Sequence, residues 1–377
     1  MVYLDHAATS SPPAPGVASA VNQALQFGFG NPGRGGHSAA LRSGHVLAAA
    51  REAVADCFGS GAVEQFVLTP SCTMALNMAL MGLPLGGGHV VTTVLEHNAL
   101  LRPLALLQKN GVIAVTHLRP DAMGRITPLA VAEALRPNTR LVAMAHASNV
   151  TGLAQPLEEI GKLCRARGVW LLVDAAQSVG HLPYALDDHP FDLLAFCGHK
   201  GLCGPMGTGG LYVREGIPLA AVLRGGTGSH SEVLDPPDEV PDAFESGTPN
   251  LPGLAGLTAA ARYMTAQKHR AAFSMKLTAR LFAGVREIPT LRVILPQGRD
   301  PDVPVVSVTS TALSPGQLSQ KLSAQGICAR AGLHCAPLIH AWLGTPEGTL
   351  RLSPGFGNTF DDIDYAVCAL RRSVRSQ

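Results

Sequence analysis

Two neighbouring stretches decide the reading of this chain: Trp170-Leu-Leu-Val-Asp174-Ala-Ala-Gln177-Ser-Val-Gly-His181 and Leu193-Leu-Ala-Phe-Cys-Gly-His-Lys200-Gly-Leu-Cys-Gly-Pro205. Each opens with four apolar residues in a row, as expected of a strand covered on both faces. Each then ends in an ionisable group. A carboxylate that closes an apolar strand is costly unless a cation partners it. A lysine just past the carboxyl end of such a strand stands where open α/β sheets bind ligands. Desolvated there, it loses its proton and forms a Schiff base with a carbonyl compound. The 26 residues from Asp174 to Lys200 hold one helix and one strand, so both groups reach the same edge of the sheet. Read singly, Asp174 has the alternative of capping the next helix, and Lys200 that of a solvated loop lysine.

The same rhythm extends outward. Gln65–Leu68, His89–Val94, Ile113–His117, Leu141–His146, Val169–Asp174, Leu193–Phe196 and Gly210–Val213 read as seven short strands. Helical patterns such as Leu47–Phe58 and Pro156–Ala166 alternate with them. The expected class is therefore α/β, a mostly parallel sheet with helices on both sides. After Asn250 the pattern changes to a long helical stretch from about Leu254 to Val285. Strand candidates follow at Leu291–Leu295 and Val305–Thr309, then helices near Pro315–Gln325 and Phe360–Arg371, a smaller α+β domain. Leu251-Pro-Gly-Leu marks the expected hinge.

Composition excludes several function classes. With 377 residues, 46% hydrophobic and 15% charged, the chain has ample material for a large core and is not disordered. A formal net charge of +2 gives no concentrated basic face for nucleic acid. No signal-like N-terminus or apolar run of about 20 residues points to secretion or a membrane. Eight scattered cysteines suit reduced thiols in a cytoplasm.

Further motifs carry chemistry. Leu68-Thr-Pro-Ser-Cys72-Thr73-Met-Ala leads from a strand into a helix whose first N–H groups favour a phosphate. An N-cap explains the same threonine. Gly225-Gly-Thr227-Gly-Ser is a backbone nest able to hold an anion. Cys335 lies in Arg330-Ala-Gly-Leu-His334-Cys-Ala-Pro337, where positive neighbours favour a thiolate, though a lone cysteine is more often a small buried hydrophobe. Arg351 can clamp a carboxylate bidentately or form an ordinary ion pair. No cysteine–histidine spacing matches a zinc site, so no metal is expected. Gly204-Pro-Met-Gly-Thr-Gly-Gly210 precedes a strand, unlike a dinucleotide loop.

On these motifs the chain resembles the class V branch of fold-type I pyridoxal phosphate (PLP) enzymes, in particular short-loop cysteine desulfurases and selenocysteine lyases. The likeness runs from Tyr3-Leu-Asp-His-Ala-Ala-Thr9 through Asn31-Pro-Gly-Arg-Gly-Gly-His37 to Leu350-Arg-Leu-Ser353. It implies an arm at residues 1–14 packing with the small domain, a PLP-binding domain at 15–250 and a small domain at 251–377 carrying the cysteine loop. It implies Lys200 as the lysine that holds PLP covalently, Asp174 at the ring nitrogen and Gln177 at the ring hydroxyl. His97 would stack on the ring and move protons. Thr73, Cys72, Cys197, His199 and Thr227 would surround the phosphate, Thr227 from a second subunit, which makes a homodimer. Cys197 departs from the family's usual Ser or Thr, and a thiol is the weaker donor. Asn149, Arg351, Ala8 and His37 fall on the substrate side, and Cys335 takes sulfur from L-cysteine and passes it to an acceptor protein. A lyase acting on L-selenocysteine or another β-substituted amino acid, a class V aminotransferase, and a non-catalytic sulfur carrier stay open at this stage.

Overall fold

The computed structural model describes residues 1–27, 30–32, 35–227, 234–235, 237–267 and 269–375. Among these, the largest sheet has seven strands, and every one was expected from its apolar run. Strand β1 (Val2–Tyr3) precedes it; its own members are β2 (Phe66–Thr69), β3 (Gly88–Thr93), β4 (Ile113–Leu118), β5 (Thr139–Ala145), β6 (Trp170–Asp174), β7 (Leu193–Cys197) and β8 (Gly209–Val213). Their order is β2-β8-β7-β6-β5-β3-β4. β8 is antiparallel to both its neighbours, and the other pairings are parallel.

Alternate side chains of the central strands feed two cores, which is why their sequences show no polar alternation. Leu171, Val173, Leu194 and Phe196 enter one core with Phe58 and Phe66. Leu172, Leu193 and Ala195 enter the other, under the helix Cys72–Gly82. Burying each of these large side chains contributes about 1.5–3 kcal/mol. Chain direction reverses between β3 and β5: β3 leads outward to β4, whereas β5 leads back to β6. The loops leaving those two strands part there and open a crevice.

Three short strands of the C-terminal region were not expected. β9 (Leu291–Val293) and β10 (Val306–Ser310) match the candidates, but β11 (Ile327–Cys328), β12 (Arg330–Gly332) and β13 (Thr349–Leu352) have only two to four residues. β12-β13-β10-β9 form an antiparallel sheet over a third core that includes Leu277, Leu281, Leu318 and Leu370. The stretch read as one long helix is two, Leu251–Ala266 and His269–Arg286, parted at Gln267. The segment Leu251–Leu254 is the first turn of the former, capped by the Asn250 side chain on Gly253 N–H. That helix packs on Val17–Phe27 and Ser38–Cys57, while His269–Arg286 packs on Phe360–Arg375.

The first residues join both regions. β1 pairs with β11, and Asp5 bridges to Ser353. The chain then crosses the sheet end, where Ser10 donates its N–H to the His199 carbonyl and its hydroxyl to the Lys200 carbonyl, each at 2.7 Å. No helix among the described residues is long and apolar enough to cross a membrane.

Gly209 lets the helix Cys72–Gly82 begin close to the sheet: a Cβ there would stand 2.6 Å from the Phe196 carbonyl and 3.2 Å from Cys72 N. Gly209→Val is therefore expected to lower stability by about 1–3 kcal/mol, read as a lower urea midpoint. A variant as stable as the parent would show that the helix start is not held against β8.

Candidate active site

The carboxyl ends of β3, β5, β6 and β7 surround an open cavity. Nine of the residues expected from sequence line it: Cys72, Thr73, His97, Asn149, Asp174, Gln177, Cys197, His199 and Lys200. Parallel register explains the convergence, because Ala145 pairs with Asp174, and Asp174 with Ala195.

Asp174 is 5% exposed. Its Oδ1 accepts the Ala176 N–H at 2.9 Å and the Cys72 thiol at 3.4 Å, leaving Oδ2 for a ligand. Gln177 donates one amide N–H to the Ala7 carbonyl at 2.9 Å, so the N-terminal arm forms part of the cavity's support. Ala8 follows that carbonyl and closes a turn by donating its N–H to Asp5 O.

At the start of the helix Cys72–Gly82, Ser71 is the N-cap and accepts from Met74 N–H. The N–H groups of Cys72 and Thr73 belong to the first turn, which has no intrahelical acceptors for them. Beside them His199 presents a buried Nδ1 without a partner, and burial pushes this imidazole down to about 4, so it is neutral at pH 7. Cys197 is buried with its thiol directed at the Ala176 carbonyl, 3.9 Å away. Burial raises both the Cys72 and the Cys197 thiol, keeping them protonated.

His97 caps the helix Asn98–Lys109, its Nδ1 accepting from Ala99 N–H at 3.0 Å. That bond leaves the ring hydrogen on Nε2. Burial lowers its pKa, opposed by the negative charge of Asp174.

Cys335 is exposed and lies beside this cavity; its carbonyl accepts from Asn98 N–H at 2.6 Å, one residue beyond His97. Asn149 donates to the His334 carbonyl at 2.6 Å, and its own carbonyl accepts from Arg351 at 3.1 Å. Arg351 is 3% exposed and also reaches Asp5 at 3.3 Å, which in turn pairs with Arg330 at 2.9 Å. Cys335 and Arg351 thus border the site through Asn149 and Asn98. His37 and Thr227 do not line the cavity. His37 is exposed and caps Ser38–Cys57. Residues 228 and 229 of the glycine-rich nest lie outside the described residues.

Two contributors escaped sequence reading. Asp5 sits in the quoted Tyr3–Thr9 motif without a role. Glu96 is fully buried, accepting from Thr93 at 2.5 Å and from Ala145 N–H at 2.8 Å, and so ties the ends of β3 and β5 together. Its signal was the one that marked Asp174, a carboxylate closing an apolar strand.

Comparison with known proteins gives the site its context. The aminotransferase class-V family matches residues 2–366. A probable cysteine desulfurase of Methanothermobacter thermautotrophicus is 34% identical, covering 96% of this chain and 92% of that protein. Cysteine desulfurase IscS of Anaeromyxobacter dehalogenans is 32% identical over 99% of this chain and 92% of its own length. The apo structure of a cysteine desulfurase from Thermococcus onnurineus NA1 superposes with a TM-score of 0.92 at 30% identity, covering 100% of this chain and 95% of that one.

Burial pushes the Glu96 carboxyl up to about 8. The folded chain keeps this proton to that pH, whereas the unfolded chain releases it near 4.5. The Glu96 contribution to stability should therefore fall as pH rises between about 5 and 8, opposed below about 6.5 by buried histidines such as His199, whose lowered pKa acts with the other sign. Glu96→Gln keeps an acceptor for Ala145 N–H and is expected to flatten that fall, measured as urea midpoints across the interval. An unaltered pH slope would mean that Glu96 is not the titrating group.

Proposed function

The chain belongs to the aminotransferase class-V family, and from that premise we propose that it is a PLP-dependent cysteine desulfurase, converting L-cysteine to L-alanine and holding the sulfur as a persulfide on Cys335. The observation that carries this reading is a single cavity at the strand ends lined by Lys200, Asp174, Gln177, His199 and His97, with exposed Cys335 tied by its backbone to the residue after His97.

The donor set fits PLP on its own chemistry. A buried unpartnered Nδ1 on His199 and the free N–H groups of a helix start suit a phosphate. Asp174 suits a pyridinium nitrogen, Gln177 the ring hydroxyl, and Lys200 the aldehyde. Thr73 adds a hydroxyl at the phosphate end, while Cys72 and Cys197 wall the pocket. Bound there, the cofactor supplies an electron sink for negative charge on the carbons of an attached amino acid.

The chain's own residues do the rest. Arg351, buried and cationic, holds the substrate carboxylate in a geometry lysine cannot match. Lys200, at the end of a flexible stem, takes the proton from the substrate Cα and returns one. His97 is neutral and offers Nε2–H to the cavity. The Cys335 thiolate attacks the substrate sulfur: the S–S bond forms as the Cβ–S bond breaks. The electron pair of that bond stays with Cβ, which takes a proton and becomes the methyl group of alanine.

Several partners accompany this reading. Exposed Leu25, Phe27, Leu41, Met206, Val222 and Leu223 support a second copy as partner, from which Thr227 would reach the phosphate and His37 the substrate side. The helix Pro337–Leu343 begins two residues after Cys335, so the thiol has no long arm to carry it. An acceptor protein must come to the persulfide. All eight cysteines are free thiols, which suits the cytoplasm.

Lys200→Ala is expected to abolish the yellow chromophore and alanine formation from L-cysteine. Cys335→Ser should keep the chromophore and lose at least about 100-fold in desulfurase rate, with alanine and sulfide quantified together. Undiminished sulfide release by Cys335→Ser would overturn the persulfide route.

A further inference from the structure

We propose that Asn149 is a positioning residue for Cys335: its side-chain amide latches the turn that carries the thiol. The inference rests on the desulfurase reading for the role of Cys335, but the latch itself is a matter of geometry. His334 and Cys335 both have positive φ, 49° and 57°, two consecutive non-glycine residues in the left-handed region. L side chains adopt that conformation rarely, and a pair persists only where the surroundings over-determine it.

The surroundings here are specific. The Cys335 carbonyl accepts from Asn98 N–H at 2.6 Å, and Ala336 donates to the Leu333 carbonyl at 2.9 Å. The His334 ring binds Thr349 through Nε2, at 2.9 Å to the hydroxyl. Between these, Asn149 Nδ2 donates to the His334 carbonyl at 2.6 Å from a position only 7% exposed. Asn149 therefore touches the Cys335 turn with its side chain and Arg351 with its backbone carbonyl. One residue links the group that would bind the substrate carboxylate to the turn that would deliver the nucleophile. It also lines the cavity with Lys200, so the link runs along the cavity wall.

This is distinct from a role as a direct ligand of the substrate carboxylate or ring hydroxyl: one amide N–H is committed to the His334 carbonyl, and only the second N–H and Oδ1 remain for a ligand. Asn149→Asp tests it with little change in size: it replaces the donor by an oxygen that repels the His334 carbonyl. Asn149→Ala removes the donor without the repulsion and serves as the second variant. The measurement is amide hydrogen exchange by mass spectrometry on the full chain without cysteine, followed in peptides covering Asn98 and residues 333–336. Both variants should exchange there at least about tenfold faster than the parent, with peptides covering β6 unchanged. In the loaded enzyme, kcat for alanine formation should fall roughly 10- to 100-fold with KM nearly constant, the signature of a displaced reacting group. Unchanged exchange at both peptides, or a raised KM with kcat preserved, would overturn the latch and leave Asn149 as a substrate ligand. Because the exchange is read without turnover, a parent chain that made no alanine would count against the desulfurase reading and leave the exchange to decide the latch.

Discussion

A carboxylate buried at the end of β6 sets the terms for this molecule. Asp174 is removed from water and, among the described residues, receives a backbone N–H and a thiol, both neutral donors. Neutral donors satisfy lone pairs but do not offset a buried charge. The fold brings the complementary group to the same rim, since β7 lies beside β6 in parallel and runs out to Lys200. Under the proposed reading, a cationic ring held between them would offset the Asp174 charge, and the helix start with the neutral His199 would hold its phosphate.

The N-terminal arm and the cysteine turn complete this arrangement from outside the sheet. Ala7 and Ser10 support Gln177 and the backbone of Lys200, and Asp5 pairs with Arg330 and Arg351. Asp5 is therefore more than a surface partner: its Arg351 contact is desolvated, and breaking such a pair leaves a buried charge uncompensated. The arm thus links Gln177 and Lys200 on one side of the site to Arg351 on the other, and the strained His334–Cys335 turn can persist because both its carbonyls accept hydrogen bonds.

The sheet was legible because strands buried on both faces need continuous apolar runs, and Leu193–Cys197 and Trp170–Asp174 are too short for helices, with polar or glycine residues close to both ends. The rim residues were legible by contrast, as single polar groups ending such runs. β11, β12 and β13 were not, since two to four residues carry no periodicity and their pairing partners lie far away in sequence, as Val2 does from Ile327. The break at Gln267 carries no glycine or proline to mark it. Glu96 went unread because Val94-Leu-Glu-His97 does not say which of two adjacent polar side chains turns inward. The Asn149 bond to His334 spans 185 residues, and no local pattern encodes it.

Locating the cofactor's covalent attachment tests the account most directly. The protein would be saturated with PLP, reduced with borohydride, digested, and its phosphopyridoxyl peptide sequenced by mass spectrometry. A single label on Lys200, lost when Asp174 is replaced by alanine because the ring is no longer held, is the predicted result. A label on any other lysine, or none, would contradict it.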